Sequence, residues 1–132
     1  GFDLHVLTRD AGALVSALTD AGAELAGEDA LEAVRIEAGL AGAEFEGGEG
    51  VLPQEAGLAY AVSYRKGCYL GQEIMARVEA RGNLRRRLVG LKLDRLPEPG
   101  AKDLILGGKT VGRSGGVAEH PRLGPVALAS VR

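Results

Sequence analysis

Cys68 is the single cysteine of the chain, and it stands in the stretch RKGCYLGQE, from Arg65 to Glu73. Two glycines bracket the thiol, a dibasic pair precedes it and a tyrosine follows it. A helix starting near Gly71 would set its N–H groups and the positive end of its dipole beside the sulfur. Arg65 and Lys66 act in the same sense, since nearby cations favour a thiolate. Gly67 and Gly71 permit a tight turn there. The chemistry open to such a group is nucleophilic or redox; the alternative is an inert thiol packed at a turn. Glu37 is the second such residue. In RIEAG it occupies the last turn of a helix ending at Gly39, where the dipole disfavours a carboxylate. Either it lies on the surface at a cost of tenths of a kcal/mol, or it faces a pocket. In a pocket it would accept hydrogen bonds from a heterocycle whose N–C–N edge carries two donors, the bidentate logic of guanidinium recognition.

The elements that must position these groups follow from periodicity. FDLHV alternates Phe2, Leu4 and Val6 against Asp3 and His5, a short strand pattern. TRDAGALVSALTDAG gives a helix with Leu14, Val15, Leu18 and Ala21 on one face, Asp10 as cap and Gly22 as stop. GEDALEAVRIEAG gives a second helix with Leu31, Val34 and Ala38 as its stripe. Residues 40–56 form a glycine-rich acidic loop without a sustained period, and GLAYAVSY is strand-like or irregular. GQEIMARVEAR is a short helix with Ile74, Met75 and Val78 inside and a Glu73–Arg77 pair at i,i+4. From Gly82 the texture changes. LRRRLVGLKL places Val89, Leu91 and Leu93 on one face, LIL is a strand, GGKTVG a hairpin and PVALASV a closing strand. This pattern divides the chain into an α+β region over 1–82 and a small β-barrel over 83–132.

Charge and composition exclude several classes. Residues 1–64 hold twelve acidic and two basic side chains, a balance of −10, whereas residues 65–132 hold six and fourteen, a balance of +8. The change of sign falls at the cysteine stretch, so the two halves are either solvated faces or an anion-attracting surface. No apolar run is long enough to span a bilayer, and one cysteine fits a reducing compartment, so a cytoplasmic location is expected. GGKT lacks the glycine a P-loop needs, because Asp103 stands there. His5, His120 and Cys68 are too scattered for a zinc motif. GRSGG has neither the spacing nor the context of a nucleophile elbow. With two phenylalanines, three tyrosines and no tryptophan, there is little to stack on single-stranded bases.

KGCYLGQE (Lys66–Glu73) resembles the signature of the YgfZ-type folate-binding proteins, relatives of the glycine-cleavage T protein, an aminomethyltransferase. RIEAGL, PQEAGL and GPVALASV resemble further blocks of that superfamily in the same order, so the resemblance covers nearly the whole chain. It implies an α+β chain, the C-terminal part of an aminomethyltransferase-like folate-binding fold, with an α/β half followed by a β-barrel. Tetrahydrofolate is the implied cofactor, with Glu37 on the pterin edge. Arg65 and Lys66 would attract the glutamate tail, with Arg77 and Arg81 as longer-range attractors. Cys68 would be the functional thiol, and no metal is implied. The implied role is support of iron–sulfur cluster assembly or repair and, through it, tRNA modification, with iron–sulfur proteins or their assembly machinery as partners. Such proteins are longer, so an N-terminal domain, in cis or as a separate chain, is expected to complete the cavity. That domain carries the transferase's aspartate, so this chain is not expected to be a stand-alone enzyme. The alternatives are a folate-dependent aminomethyltransferase, or an RNA- or protein-docking fragment using Arg85–Arg87.

Overall fold

A computed structural model describes residues 2–42, 48 and 50–132. Three α-helices precede a four-stranded antiparallel sheet: α1 (Ala11–Asp20), α2 (Glu28–Glu37), α3 (Gln72–Arg81), then β1 (Arg87–Lys92), β2 (Asp103–Leu106), β3 (Lys109–His120) and β4 (Gly124–Val131). The strand order is β1-β4-β3-β2, so β1 and β2 are the two edges. The architecture is α+β. The described strands make an open sheet where a closed barrel was expected.

The sheet is built around β4, which pairs with β1 from Arg87↔Val131 to Lys92↔Val126 and with β3 on its other side. Gly107 and Gly108, both at positive φ, form the two-residue β2–β3 turn anticipated from GGKT. The register of β3 against β4 shifts between Ser114 and Val117, within GRSGG. That bulge lets a glycine-rich run continue as a strand through twelve residues.

α2 lies on this sheet. Its Ala33 and Ile36 pack with Ala118, Val126 and Leu128, and Leu88 covers the edge of the cluster. Among the described residues Leu128 is the one large side chain that is fully buried, at 1% exposure. The helix therefore docks through Ala33 and Ile36, not through the expected stripe, for Leu31 and Val34 are 67% and 60% exposed. The physical reason lies in β3. Arg35 and Glu32 of α2 lie so close over Gly116 that a β-carbon there would collide with both side chains. The close approach is possible because residue 116 of the strand is a glycine.

Other expectations change in the same way. Residues 2–6 form no strand and are exposed, because an alternating segment becomes a strand only where a neighbour takes its backbone hydrogen bonds. α1 forms as expected, but Asp10 makes no side-chain cap; a 3-10 turn over Thr8–Asp10 leads into the helix instead. Val15 and Leu18 remain exposed, and among the described residues the helix packs chiefly against that turn. On β1 it is Leu88 that joins the core, on the face opposite Val89 and Leu91. In α3, Met75 and Val78 are half-buried while Ile74 is exposed. The expected loop over 40–56 lies partly outside the described residues. In its last part, residues 53–57 form consecutive turns with Gln54, Glu55 and Ala56 buried. Among the described residues no helix is long and apolar enough to cross a membrane.

Candidate functional site

Glu37 closes α2. The helix ends in a Schellman arrangement in which Leu40 N–H donates to the Arg35 carbonyl at 3.0 Å and Gly39 N–H to that of Ile36 at 3.0 Å. Gly39 takes the left-handed conformation this requires, at φ 68°. Arg35 reinforces the end: it donates to the Leu40 carbonyl and forms a bidentate pair with Glu32 at 2.7 and 2.6 Å. That pairing holds the Glu32 carboxyl below the ordinary carboxylate range, chiefly through the hydrogen bond from Arg35.

The end of α2 places Glu37 against the β3–β4 turn. His120 Nε2 lies 3.1 Å from Glu37 Oε2, and Arg122 Nη2 donates to Oε1 at 2.8 Å. The imidazole is buried, at 4% exposure, while the Glu37 side chain is 40% exposed. His120 Nδ1 accepts the backbone N–H groups of Arg122 and Leu123, each at 3.2 Å. A nitrogen that accepts carries no hydrogen in the neutral ring, so neutral His120 keeps its proton on Nε2 and donates it to Glu37. The hydrogen bond from His120 comes first in holding the Glu37 carboxyl below its usual value; burial opposes it, and the charge of Arg122 adds to it. Glu37 is thus an oriented carboxylate with two partners, rather than a free acceptor in a pocket or an isolated surface charge. Two cavities meet at it. One of about 430 Å³ is lined by Asp29, Ala33, Val34, Glu37, His120 and Arg122. The other, of about 260 Å³, is lined by Ile36, Glu37, Gly90, Lys92, Leu123 and Val126.

The cysteine stretch lies elsewhere. Cys68 is a free, exposed thiol ahead of α3. Gly71 stands at the helix N-cap in the left-handed region, as the sequence required. The Lys66 ammonium sits 5.0 Å from the centre of the Tyr69 ring, a cation–π distance. Glu73 and Arg77 pair at 2.9 Å, as their spacing predicts. Arg65 and Arg81 are exposed. None of Arg65, Lys66, Cys68, Arg77 or Arg81 lines either cavity at Glu37. The structure brings Glu37 together with His120 and Arg122, and does not gather the cationic residues of the cysteine stretch around it.

Sequence reasoning missed His120 and Arg122 as partners of Glu37, because 83 and 85 residues separate them from it. The local signal was HPR, a turn sequence with two charge-bearing side chains beside a closing strand. It also missed the link between PQEAGL and α3. There Gln54 Nε2 donates to Tyr64 Oη at 2.8 Å and to the Met75 carbonyl at 3.3 Å.

Comparison with known proteins adds a second line of observation. No protein-family model matches the chain. An aminomethyltransferase of Streptomyces avermitilis is 36% identical over 141 residues, covering 99% of this chain and 38% of that protein. A second, from Symbiobacterium thermophilum, is 36% identical over 85% of the chain and 31% of its own length. The human mitochondrial protein named iron–sulfur cluster assembly factor IBA57 is 46% identical over 69 residues, 47% of this chain and 19% of that protein. The chain therefore spans less than two fifths of the length of these relatives. The relatives thus include aminomethyltransferases and a protein named as an iron–sulfur cluster assembly factor, the two groups to which the expected family is related.

Proposed function

We propose that this chain is part of a reduced-folate-binding protein that supports iron–sulfur cluster assembly or repair and, through it, tRNA modification. The observation that carries the reading is the double likeness, to aminomethyltransferases along nearly the whole chain and to an iron–sulfur cluster assembly factor along about half of it. Residues 1–82 and 83–132 act as two parts of one folate-binding unit, the sheet being closed into a barrel in the longer protein. The protein works in the cytoplasm.

Tetrahydrofolate would meet this chain at Glu37. Hydrogen bonds from His120 and Arg122 keep the carboxylate ionised and oriented, and its exposed part leaves lone pairs for the two donors of a pterin edge. The cations that share a cavity with Glu37 are Arg122 and Lys92, so they are the nearest partners for an anionic tail. Arg65, Lys66, Arg77 and Arg81 attract that tail from farther away. Cys68, exposed beside a dibasic pair, is the thiol offered to a redox or iron–sulfur partner. When bound, the folate supplies one-carbon or redox chemistry.

Calorimetric titration with tetrahydrofolate under reducing conditions tests the reading, with Glu37→Gln alongside. The expected result is binding by the native chain and a loss of roughly tenfold or more in the variant. Equal affinity of the two would remove the pterin from Glu37, and no binding by either would show that this chain does not complete the site by itself. Aminomethyl transfer is the second reading, favoured by the 99% coverage against an aminomethyltransferase. It predicts turnover of an aminomethyl carrier once the rest of that length is supplied.

A further inference from the structure

A second cavity of about 430 Å³ opens between the turn carrying Leu52 and Glu55, the α3 residues Ile74 and Val78, and the segment carrying Asn83, Arg85 and Arg86. Its size falls within the range of small-molecule sites, and Leu52, Ile74 and Val78 line it beside an equally large polar share from Glu55, Asn83, Arg85 and Arg86. The distribution of charge is its informative feature. Glu55 is only 8% exposed, and among the described residues its carboxylate has one hydrogen bond, from Leu52 N–H, stretched to 3.5 Å. Among the described residues Arg85 and Arg86 have no hydrogen-bond or ion-pair partner. An acid and two guanidiniums thus line one cavity without meeting, whereas at the end of α2 Glu37 and Arg122 close to 2.8 Å.

A buried carboxylate without a cationic partner costs free energy. A ligand that brings a cation to Glu55 and an anion to the arginines removes that cost at both ends. We propose that this cavity binds a small zwitterion of the α-amino-acid type. Its ammonium sits on Glu55, its carboxylate on Arg85 and Arg86, and its apolar side chain on Leu52, Ile74 and Val78. No covalent step is involved. None of these residues lines a cavity with Glu37, so the site is independent of the folate reading.

The test is an amide chemical-shift titration of the chain with three probes of matched carbon skeleton: L-leucine, L-leucinamide and 4-methylpentanoate. Leucine is expected to shift the amides of residues 52–57 and 83–86 saturably, with the two singly charged probes weaker by roughly tenfold or more. The Arg85→Gln/Arg86→Gln double variant should abolish the preference for leucine over leucinamide. Glu55→Gln should abolish the preference over 4-methylpentanoate. Because Glu55 is buried, the double arginine variant at exposed positions decides the matter if Glu55→Gln fails to fold. Equal binding of leucine and 4-methylpentanoate would make the cavity an anion site and overturn the proposal. So would the absence of any saturable shift up to about 10 mM leucine.

Discussion

Gly116→Ala isolates the contact that seats α2 on the sheet. The added methyl would enter the space of the Arg35 guanidinium and the Glu32 carboxylate, and two responses are open. The two side chains can swing outward and give up their bidentate pair. At 19% and 35% side-chain exposure, that pair is partly screened, and its loss costs about 1 kcal/mol. Alternatively α2 can lift from β3 and loosen the packing of Ala33 and Ile36, an overpacking penalty of about 1–3 kcal/mol. The colliding atoms are the far ends of flexible side chains, so the first response is cheaper and wins. Gly112→Ala is the control. There the methyl meets the Ser130 carbonyl and Val131 Cα of β4; backbone cannot swing aside, so this variant must cost more. Urea unfolding followed by circular dichroism gives both differences, and imidazole nitrogen shifts report whether His120 still donates to Glu37. The expectation is a loss of about 1 kcal/mol for Gly116→Ala with the His120 signal unchanged, and a larger loss for Gly112→Ala. A Gly116→Ala protein as stable as the native chain would refute the close approach of α2 to β3. One that loses the His120 signal would refute the side-chain response.

Two further outcomes follow from the end of α2 and from the thiol. The Glu37 carboxyl titrates below its ordinary value of 4.5, through His120 first and Arg122 after it. A lowered folded value means stability that is fully present above 4.5 and lost as the pH falls through the folded value. Urea midpoints measured from neutral pH to below 4.5 should therefore drop, and drop less in His120→Gln. An equal drop in both would remove His120 as the main cause. The exposed Cys68 should react with iodoacetamide in the folded chain; reaction seen only after urea unfolding would make it a packing residue.

The sequence by itself determined the local elements. All three helices lie within three residues of the ends of their periodic segments, since glycine stops and the 3.6-residue repeat act over neighbouring residues. The turn in GGKT and the closing strand in PVALASV were equally legible, because two adjacent glycines supply the positive φ of a tight hairpin. The resemblance to folate-binding relatives of the aminomethyltransferases was read from KGCYLGQE and the blocks around it without any coordinates. Tertiary structure alone decided which faces were used. Leu31 and Val34 make as good a stripe as Ala33 and Ile36 on a helical wheel; the sheet that passes under Arg35 decides which one is buried. Alternation in β1 likewise leaves two equivalent faces until a helix covers one, and Leu88 lies on the covered side. FDLHV has the alternation of a strand and lies beside no partner among the described residues. GRSGG, rich in glycine, runs as strand because β4 takes its hydrogen bonds. The partnership of Glu37 with His120 and Arg122 was the least legible. Its members lie more than eighty residues apart, and only the docking of α2 across β3 and β4 brings the carboxylate to the turn that answers it.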